Sequence, residues 1–288
     1  MPSGPESHPA SPARIAFIGG GNMARSLIGA QRARGVPPAS LRVAEPRAEA
    51  REILVREFGI PVFEDNAEAA AGASCVVLAV KPQVMRQVCE GLAGPLRSSK
   101  PLLISIAAGV RIAQLERLLG AERAIVRCMP NTPALVGAGA AGLCANSKVD
   151  AEQRALAESL LDAAGIVRWI DDEAQMDTVT ALSGSGPAYF FLLVEAMEDA
   201  AVRLGLPRET ARALAAQTCL GAGHMLADGN ETAAELRKHV TSPNGTTAAA
   251  LDAFEQGGFR ELVEHALAAA QRRGAEMSAE LDGGEPPT

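Results

Sequence analysis

The stretch Arg14-Ile-Ala-Phe-Ile-Gly-Gly-Gly-Asn-Met-Ala24 decides the fold. Its first five residues form a short β-type run, and a helical pattern follows the glycines. The spacing is GxGxxA, set between a first strand and a first helix. Gly19 allows a tight turn, Gly21 lets the backbone approach a pyrophosphate, and Ala24 lets helix and strand pack closely. The helix N-terminus then offers free N–H groups and partial positive charge to phosphates. A glycine triplet alone marks only a turn. In this position it predicts a dinucleotide site.

Working outward, short β-type runs alternate with helical stretches through about residue 170. The runs are Arg14-Ile-Ala-Phe-Ile18, Leu41-Arg-Val-Ala44, Pro61-Val-Phe63, Cys75-Val-Val-Leu-Ala-Val80, Leu102-Leu-Ile-Ser-Ile106, Ile125-Val-Arg-Cys128, Ala141-Gly-Leu-Cys144 and Val167-Arg-Trp-Ile170. Several are apolar without alternation, as strands buried on both faces are. Helical segments such as 24–34 and 151–164 lie between them. Strand, helix, strand repetition predicts βαβ units in a mostly parallel sheet. The second strand ends at Glu45, followed by Pro46 and Arg47. An acid there suits the ribose of NAD, whereas a nearby arginine accommodates the extra phosphate of NADP. The two residues argue opposite ways, and the cofactor choice stays open at this point.

After Asp171-Asp172-Glu173 the pattern turns all-helical. Residues 187–204 read as one long helix with Pro187 in its first turn, where a missing N–H costs nothing. Gly205 ends it and Pro207 starts a second helix running to about Ala227. Thr232 and Glu235 have capping-box spacing and open a third, short helix. Further helices are expected over 247–255 and 259–273. The fold class expected is α/β: an N-terminal Rossmann-type doubly wound sheet followed by an all-α dimerisation domain. The boundaries expected are a disordered leader over 1–12, a dinucleotide-binding domain over 13–172, a helical dimerisation and substrate domain over 173–280, and a disordered tail over 281–288. The seven residues after Pro187 are apolar or aromatic. A helix apolar all round is buried all round, and a helical domain of about 110 residues offers it little interior. An obligate homodimer through this domain resolves the conflict. The alternative is a helix at the centre of a monomeric bundle.

The segment Thr241-Ser-Pro-Asn-Gly-Thr-Thr247 places four hydroxyls in seven residues at a helix start. Pro243 biases Ser242 away from the α region, and Asn244-Gly245 favours a turn. Hydroxyls and unpaired N–H groups then converge at a positive helix end, which suits a small carboxylate. One capping hydroxyl accounts for one of these residues, not four.

Composition narrows the classes further. The chain has 288 residues, 48% hydrophobic and 21% charged, with a net charge of −7. That balance fits a globular protein and disfavours a phosphate-backbone binder, so no nucleic-acid partner is expected. Cys75, Cys89, Cys128, Cys144 and Cys219 form no CxxC pair, and free thiols in a reducing compartment are expected. Neither a signal peptide nor a membrane-spanning run is read, so the expected location is cytoplasmic, with no membrane partner. The lysines are Lys81, Lys100, Lys148 and Lys238. None lies between Ser183 and Arg203, where a β-hydroxyacid dehydrogenase of similar fold carries its general base. No histidine sits in a motif with a carboxylate, and no metal-ligand spacing occurs. A reductase without a strong base fits better, because a protonated imine is already electrophilic and needs mainly alignment.

At this point the chain resembles the pyrroline-5-carboxylate reductases. The matching stretches are Phe17-Ile-Gly-Gly-Gly-Asn-Met23, Ala79-Val-Lys-Pro82, Ser105-Ile-Ala-Ala-Gly109, Arg127-Cys-Met-Pro-Asn-Thr-Pro133, Leu182-Ser-Gly-Ser-Gly-Pro-Ala-Tyr189 and Thr241-Ser-Pro-Asn-Gly-Thr-Thr247. They run in the family's order over residues 14–273. The last is the family's hallmark, with Asn244 replacing the first of its usual two glycines. The resemblance implies NAD(P)H-dependent reduction of the cyclic imine 1-pyrroline-5-carboxylate to L-proline, the last step of proline biosynthesis, with NADPH generally preferred and NADH the alternative. It implies that Gly19, Gly20, Gly21, Asn22, Met23, Ala24, Asn66, Ala79, Val80, Lys81, Pro82, Ala107, Ala108 and Gly109 line the dinucleotide, beside Glu45 and Arg47. It implies that Ser242, Thr246 and Thr247, with Asn244 and Gly245 in the same turn, hold the substrate. Thr247 is the catalytic candidate, facing the imine nitrogen. It also implies an interlocked homodimer with substrate between subunits, and in some members a pentamer of dimers. The rival readings are another imine or hydroxyacid oxidoreductase of this fold, and a dinucleotide-binding sensor without catalysis.

Overall fold

The computed structural model describes residues 13–281, so the expected leader over 1–12 and the tail beyond residue 281 lie outside the described residues. The elements run β1 (Ile15–Ile18), α1 (Asn22–Ala33), β2 (Leu41–Ala44), α2 (Ala48–Phe58), β3 (Val62–Phe63), α3 (Asn66–Ala70), β4 (Cys75–Leu78) and α4 (Pro82–Ala93). They continue with β5 (Leu102–Ser105), α5 (Ile112–Leu119), β6 (Ile125–Met129), β7 (Gly139–Ala145), α6 (Ala151–Leu161), β8 (Gly165–Trp169) and α7 (Met176–Val179). After a π-helical turn over Thr180–Gly184 come α8 (Gly186–Arg203), α9 (Arg208–Ala227), α10 (Ala233–His239), α11 (Thr246–Gln256) and α12 (Phe259–Leu281). Among the described residues no helix is long and apolar enough to cross a membrane.

The chain divides into two compact units. The first comprises the residues up to Gly184 together with those from Gln271 on; the second is Ser185–Ala270. The units therefore part beyond the 172/173 boundary read from the sequence. The reason lies in side-chain contacts: Glu173 and Asp177 pair with Arg127 of β6, and Ser183 accepts through its carbonyl from Asn131 Nδ2 at 3.0 Å. These contacts keep 173–184 with the sheet.

In the first unit one eight-stranded sheet has the order β3-β2-β1-β4-β5-β6-β7-β8. Neighbouring strands pair in parallel except β6 with β7, which pair antiparallel. Every residue of β1, β4 and β5 is buried. Alternation along a strand sends side chains to opposite faces. Ile15 and Phe17 of β1 join Leu27 and Ile28 of α1 on one face, and Ala16 and Ile18 join Met85 of α4 and Leu115 of α5 on the other. Such a two-sided core tolerates little loss of volume: Phe17→Ala would cost about 3–5 kcal/mol.

The second unit is helical throughout, with α8 and α9 packed as a pair. Pro187 falls in the first turn of α8, and Gly205 follows its end with φ +104. Thr232 and Glu235 make the expected capping box on α10. Only Gly186, Ala211 and Ala215 of this unit are buried within one chain. The helix expected to stop near Arg273 runs instead to Leu281, because its last turns pack against the first unit.

Candidate active site

The order of strands reverses where β1 lies between β2 and β4, and in open α/β sheets ligands bind at such a point, outside the carboxyl ends. The residues that follow β1, β2, β4 and β5 all emerge there. Gly19 adopts φ +101, and a Cβ on it would lie 2.6 Å from the Ala79 carbonyl oxygen. Both facts require glycine. The N–H of Gly19 donates to Ala44 O at 2.9 Å and that of Ala79 to Ile18 O at 2.8 Å, which stitches the three loops together. Gly21 caps α1 without any side-chain hydrogen bond, and the space beside its Cα is open. The first-turn amides of α1 are thus free for an anion, as the N-terminus of a helix lacks intrahelical acceptors for them. Ala24 is buried against the sheet, while Asn22 is exposed and Met23 partly covers the core. These residues fit the diphosphate of a dinucleotide.

Glu45 sits at the end of β2 and is 5% exposed. Its Oε2 accepts the Gly20 N–H at 3.2 Å, and its Oε1 accepts Arg47 N–H at 3.2 Å and Arg47 Nε at 2.9 Å. The two residues that argued opposite ways are therefore one ion pair, with the arginine side chain largely exposed. Asn66 is the first residue of α3, beyond β3, next to Asp65, whose carboxylate accepts the Glu68 N–H at 2.9 Å. Ala79 and Val80 leave β4, exposed Lys81 caps α4 without a side-chain hydrogen bond, and Pro82 opens that helix. Ala107, Ala108 and Gly109 leave β5, with Gly109 at φ +74. The first unit thus gathers the cofactor candidates at the carboxyl ends of its strands.

The hydroxyl loop belongs to the second unit. Thr241 Oγ1 donates back to the Arg237 carbonyl at 2.6 Å, so this hydroxyl serves the end of α10. Asn244 has φ +57, the left-handed conformation that asparagine tolerates best after glycine. The Gly245 N–H closes the turn on Ser242 O at 3.0 Å. Gly245 is the N-cap of α11, with no side-chain cap. Among the described residues the hydroxyls of Ser242, Thr246 and Thr247 have no hydrogen-bond partner. Of the four hydroxyls, one is structural and three are unengaged.

Other motif residues have structural roles. Asn131 is buried, donates to Ser183 O and accepts the Ala140 N–H at 2.8 Å, tying the 129–133 segment to β7 and to the turn before α8. Gly184 lies so close to Met129 that a Cβ would meet its Cε at 2.4 Å. The cysteines are all free. Burial pushes the Cys75 thiol up to about 12 and raises that of Cys128 as well, which removes Cys128 as a nucleophile. Sequence reasoning missed Arg127, Glu173, Asp177 and Gln114, a polar set around the base of the β5 loop. The acidic run 171–173 was legible only as a change of character, and its arginine partner is 46 residues away in the chain for Glu173.

Comparison with known proteins bears on the same residues. The family described as pyrroline-5-carboxylate reductase dimerisation matches residues 173–277, and the family described as NADP oxidoreductase, coenzyme F420-dependent, matches residues 14–109. The chain is 57% identical to a pyrroline-5-carboxylate reductase of Pseudomonas aeruginosa over 93% of its own length and 98% of that protein's. A solved pyrroline-5-carboxylate reductase from Coxiella burnetii superposes with a TM-score of 0.89 at 45% identity, covering 93% of this chain and 99% of that one. A Plasmodium falciparum pyrroline carboxylate reductase with NADP bound gives 0.82 at 33% identity, covering 93% of this chain and 98% of that one.

Proposed function

The chain belongs to the pyrroline-5-carboxylate reductase family, and on that premise we propose that it reduces the C=N bond of 1-pyrroline-5-carboxylate to L-proline, the last step of proline biosynthesis, with NADPH or NADH. It is an oxidoreductase with a Rossmann-type sheet and a helical dimerisation domain. The dinucleotide supplies the hydride. Gly19, Gly20, Gly21, Asn22, Met23 and Ala24 hold its diphosphate against the start of α1, with Glu45 and Arg47 at the adenosine ribose. Asn66, the turn from Ala79 through Val80 and Lys81 to Pro82, and the turn of Ala107, Ala108 and Gly109 line the rest.

The observation that carries the substrate assignment is the loop before α11. That helix starts at Gly245 without a side-chain cap, while Ser242, Thr246 and Thr247 keep their hydroxyls unengaged. Three donors and uncapped amides suit a carboxylate. Asn244 and Gly245 shape the turn that presents them. The Thr247 hydroxyl accepts from the N–H of the protonated imine and orients it, so that the hydride adds to carbon and the nitrogen keeps the proton it already carries; alignment of this kind is worth several kcal/mol of barrier.

The working molecule is a homodimer through the helical domain, and a pentamer of dimers is the larger assembly proposed. A cytoplasmic location is proposed with it. Purified protein supplied with NADPH and pyrroline-5-carboxylate should oxidise the dinucleotide and form proline in equal amounts. Dinucleotide binding without turnover would favour the sensor reading, and oxidation of β-hydroxyacids instead would favour a dehydrogenase. The lack of lysine between Ser183 and Arg203 supports the reductase over the latter.

A further inference from the structure

The last turns of α12 belong to the first unit, where they lie against the segment leaving β5. Gly109 is buried, with φ +74, and a Cβ on it would stand 3.2 Å from Met277 Cβ. Gln114 in α5 is 5% exposed. Its Oε1 accepts the Arg111 N–H at 2.7 Å, and its Nε2 donates to the Ser278 carbonyl at 2.9 Å. Ser278 is itself 1% exposed. From the other direction Glu173 Oε1 accepts the Ile112 N–H at 2.8 Å and Arg127 Nη1 at 3.2 Å, while Arg127 Nη2 reaches Asp177 at 2.9 Å. The chain from Gly109 to Gln114 is thus gripped by α12 and by the buried arginine cluster.

A loop left to itself must be ordered when a ligand binds, and that ordering costs backbone entropy. A loop already fixed escapes that cost, which is why supporting contacts around a site matter. We propose that the end of α12 is a brace that presets the loop of Ala107, Ala108 and Gly109 for the dinucleotide, with Gln114 and Met277 as positioning residues. The proposal rests on the reading that this loop lines the cofactor.

The test compares Gln114→Glu, Met277→Gly, Met277→Ala and Gly109→Ala in the intact dimer. Gln114→Glu keeps an acceptor for Arg111 but loses the donor to Ser278. Met277→Gly removes the Cβ that stands against Gly109, and Met277→Ala restores it. Loss of one such contact should raise the KM for NADPH, and its Kd by fluorescence titration, about 3- to 10-fold in the first two variants. Both kcat at saturating NADPH and the KM for pyrroline-5-carboxylate should stay within about 2-fold of the unaltered enzyme, and Met277→Ala should restore the NADPH values. Gly109→Ala tests the loop itself and should weaken NADPH more than either. If Gly109→Ala weakens NADPH while Gln114→Glu and Met277→Gly do not, the brace is refuted and the loop assignment stands. Equal losses in kcat and in both KM values would also refute it, as general damage. If Gly109→Ala leaves NADPH binding unchanged, the loop does not line the cofactor, and the brace falls with that reading.

Discussion

Phe17 in β1 and Phe191 in α8 are both aromatic residues inside regular elements, yet the first is fully buried and the second is 67% exposed. The contrast holds for their whole units. The sheet of the first unit has helices on both faces, so its apolar strands find cover within one chain. The second unit presents Phe190, Phe191, Leu192, Leu214 and Leu262 on its surface and buries only one glycine and two alanines. Exposed apolar patches of this kind mark an interface. Burying a phenylalanine or leucine fully is worth about 1.5–3 kcal/mol, so a few such residues per chain supply a strong drive to pair. One unit is complete as a fold; the other is completed by a second copy, in keeping with the dimerisation family that matches it.

The largest effect is expected from a change in the helical unit. Phe191→Asp should abolish the dimer in sedimentation experiments and with it turnover, because it puts a charge where apolar burial is needed, at several kcal/mol. The sheet unit should still bind NADPH. A stable, active dimer carrying this change would show that α8 lies away from the interface. From the other side, Gly19→Ala should weaken NADPH binding by about 100-fold, since both the left-handed backbone and the nearby Ala79 carbonyl exclude a side chain. Dimerisation should persist, and its loss would mean that the two units are not separable in this way. The smallest effect concerns Glu45. Glu45→Ser removes a negative charge from the proposed ribose site and frees Arg47 from its counter-ion, so the ratio of kcat/KM for NADPH over NADH should rise about 3- to 10-fold. An unchanged ratio would mean that Glu45 serves only the Gly20 turn.

Much of this was legible in the sequence, for identifiable reasons. Continuous runs such as Cys75-Val-Val-Leu78 suit strands buried on both faces, and that is what they form. The glycine turn was legible because its spacing encodes a backbone requirement that Gly19 meets by conformation and by contact. Helix ends carrying local signals, Pro187 and the Thr232 capping box, were placed within a residue. Long-range partnerships were not legible. Nothing near Gly274 says that α12 continues, because what sustains its last turns is Gln114 and Gly109, far away in the chain. Glu173 read as a boundary residue until Arg127 and the Ile112 amide were seen to claim its carboxylate. The hydroxyl loop was legible as a cluster, but not which hydroxyl was structural: Thr241 bonds to Arg237 O, as a residue four positions after a helical carbonyl can.

In the proposed division of labour the sheet unit holds the dinucleotide and the 241–247 loop holds the substrate. Thr247→Ala, assayed for turnover of pyrroline-5-carboxylate and, separately, for NADPH affinity, separates the two roles. The kcat should fall by about 10- to 100-fold with an NADPH Kd within about 2-fold of the parent. Turnover unaffected by the change, or affinity for NADPH lost in step with it, would rule that division out.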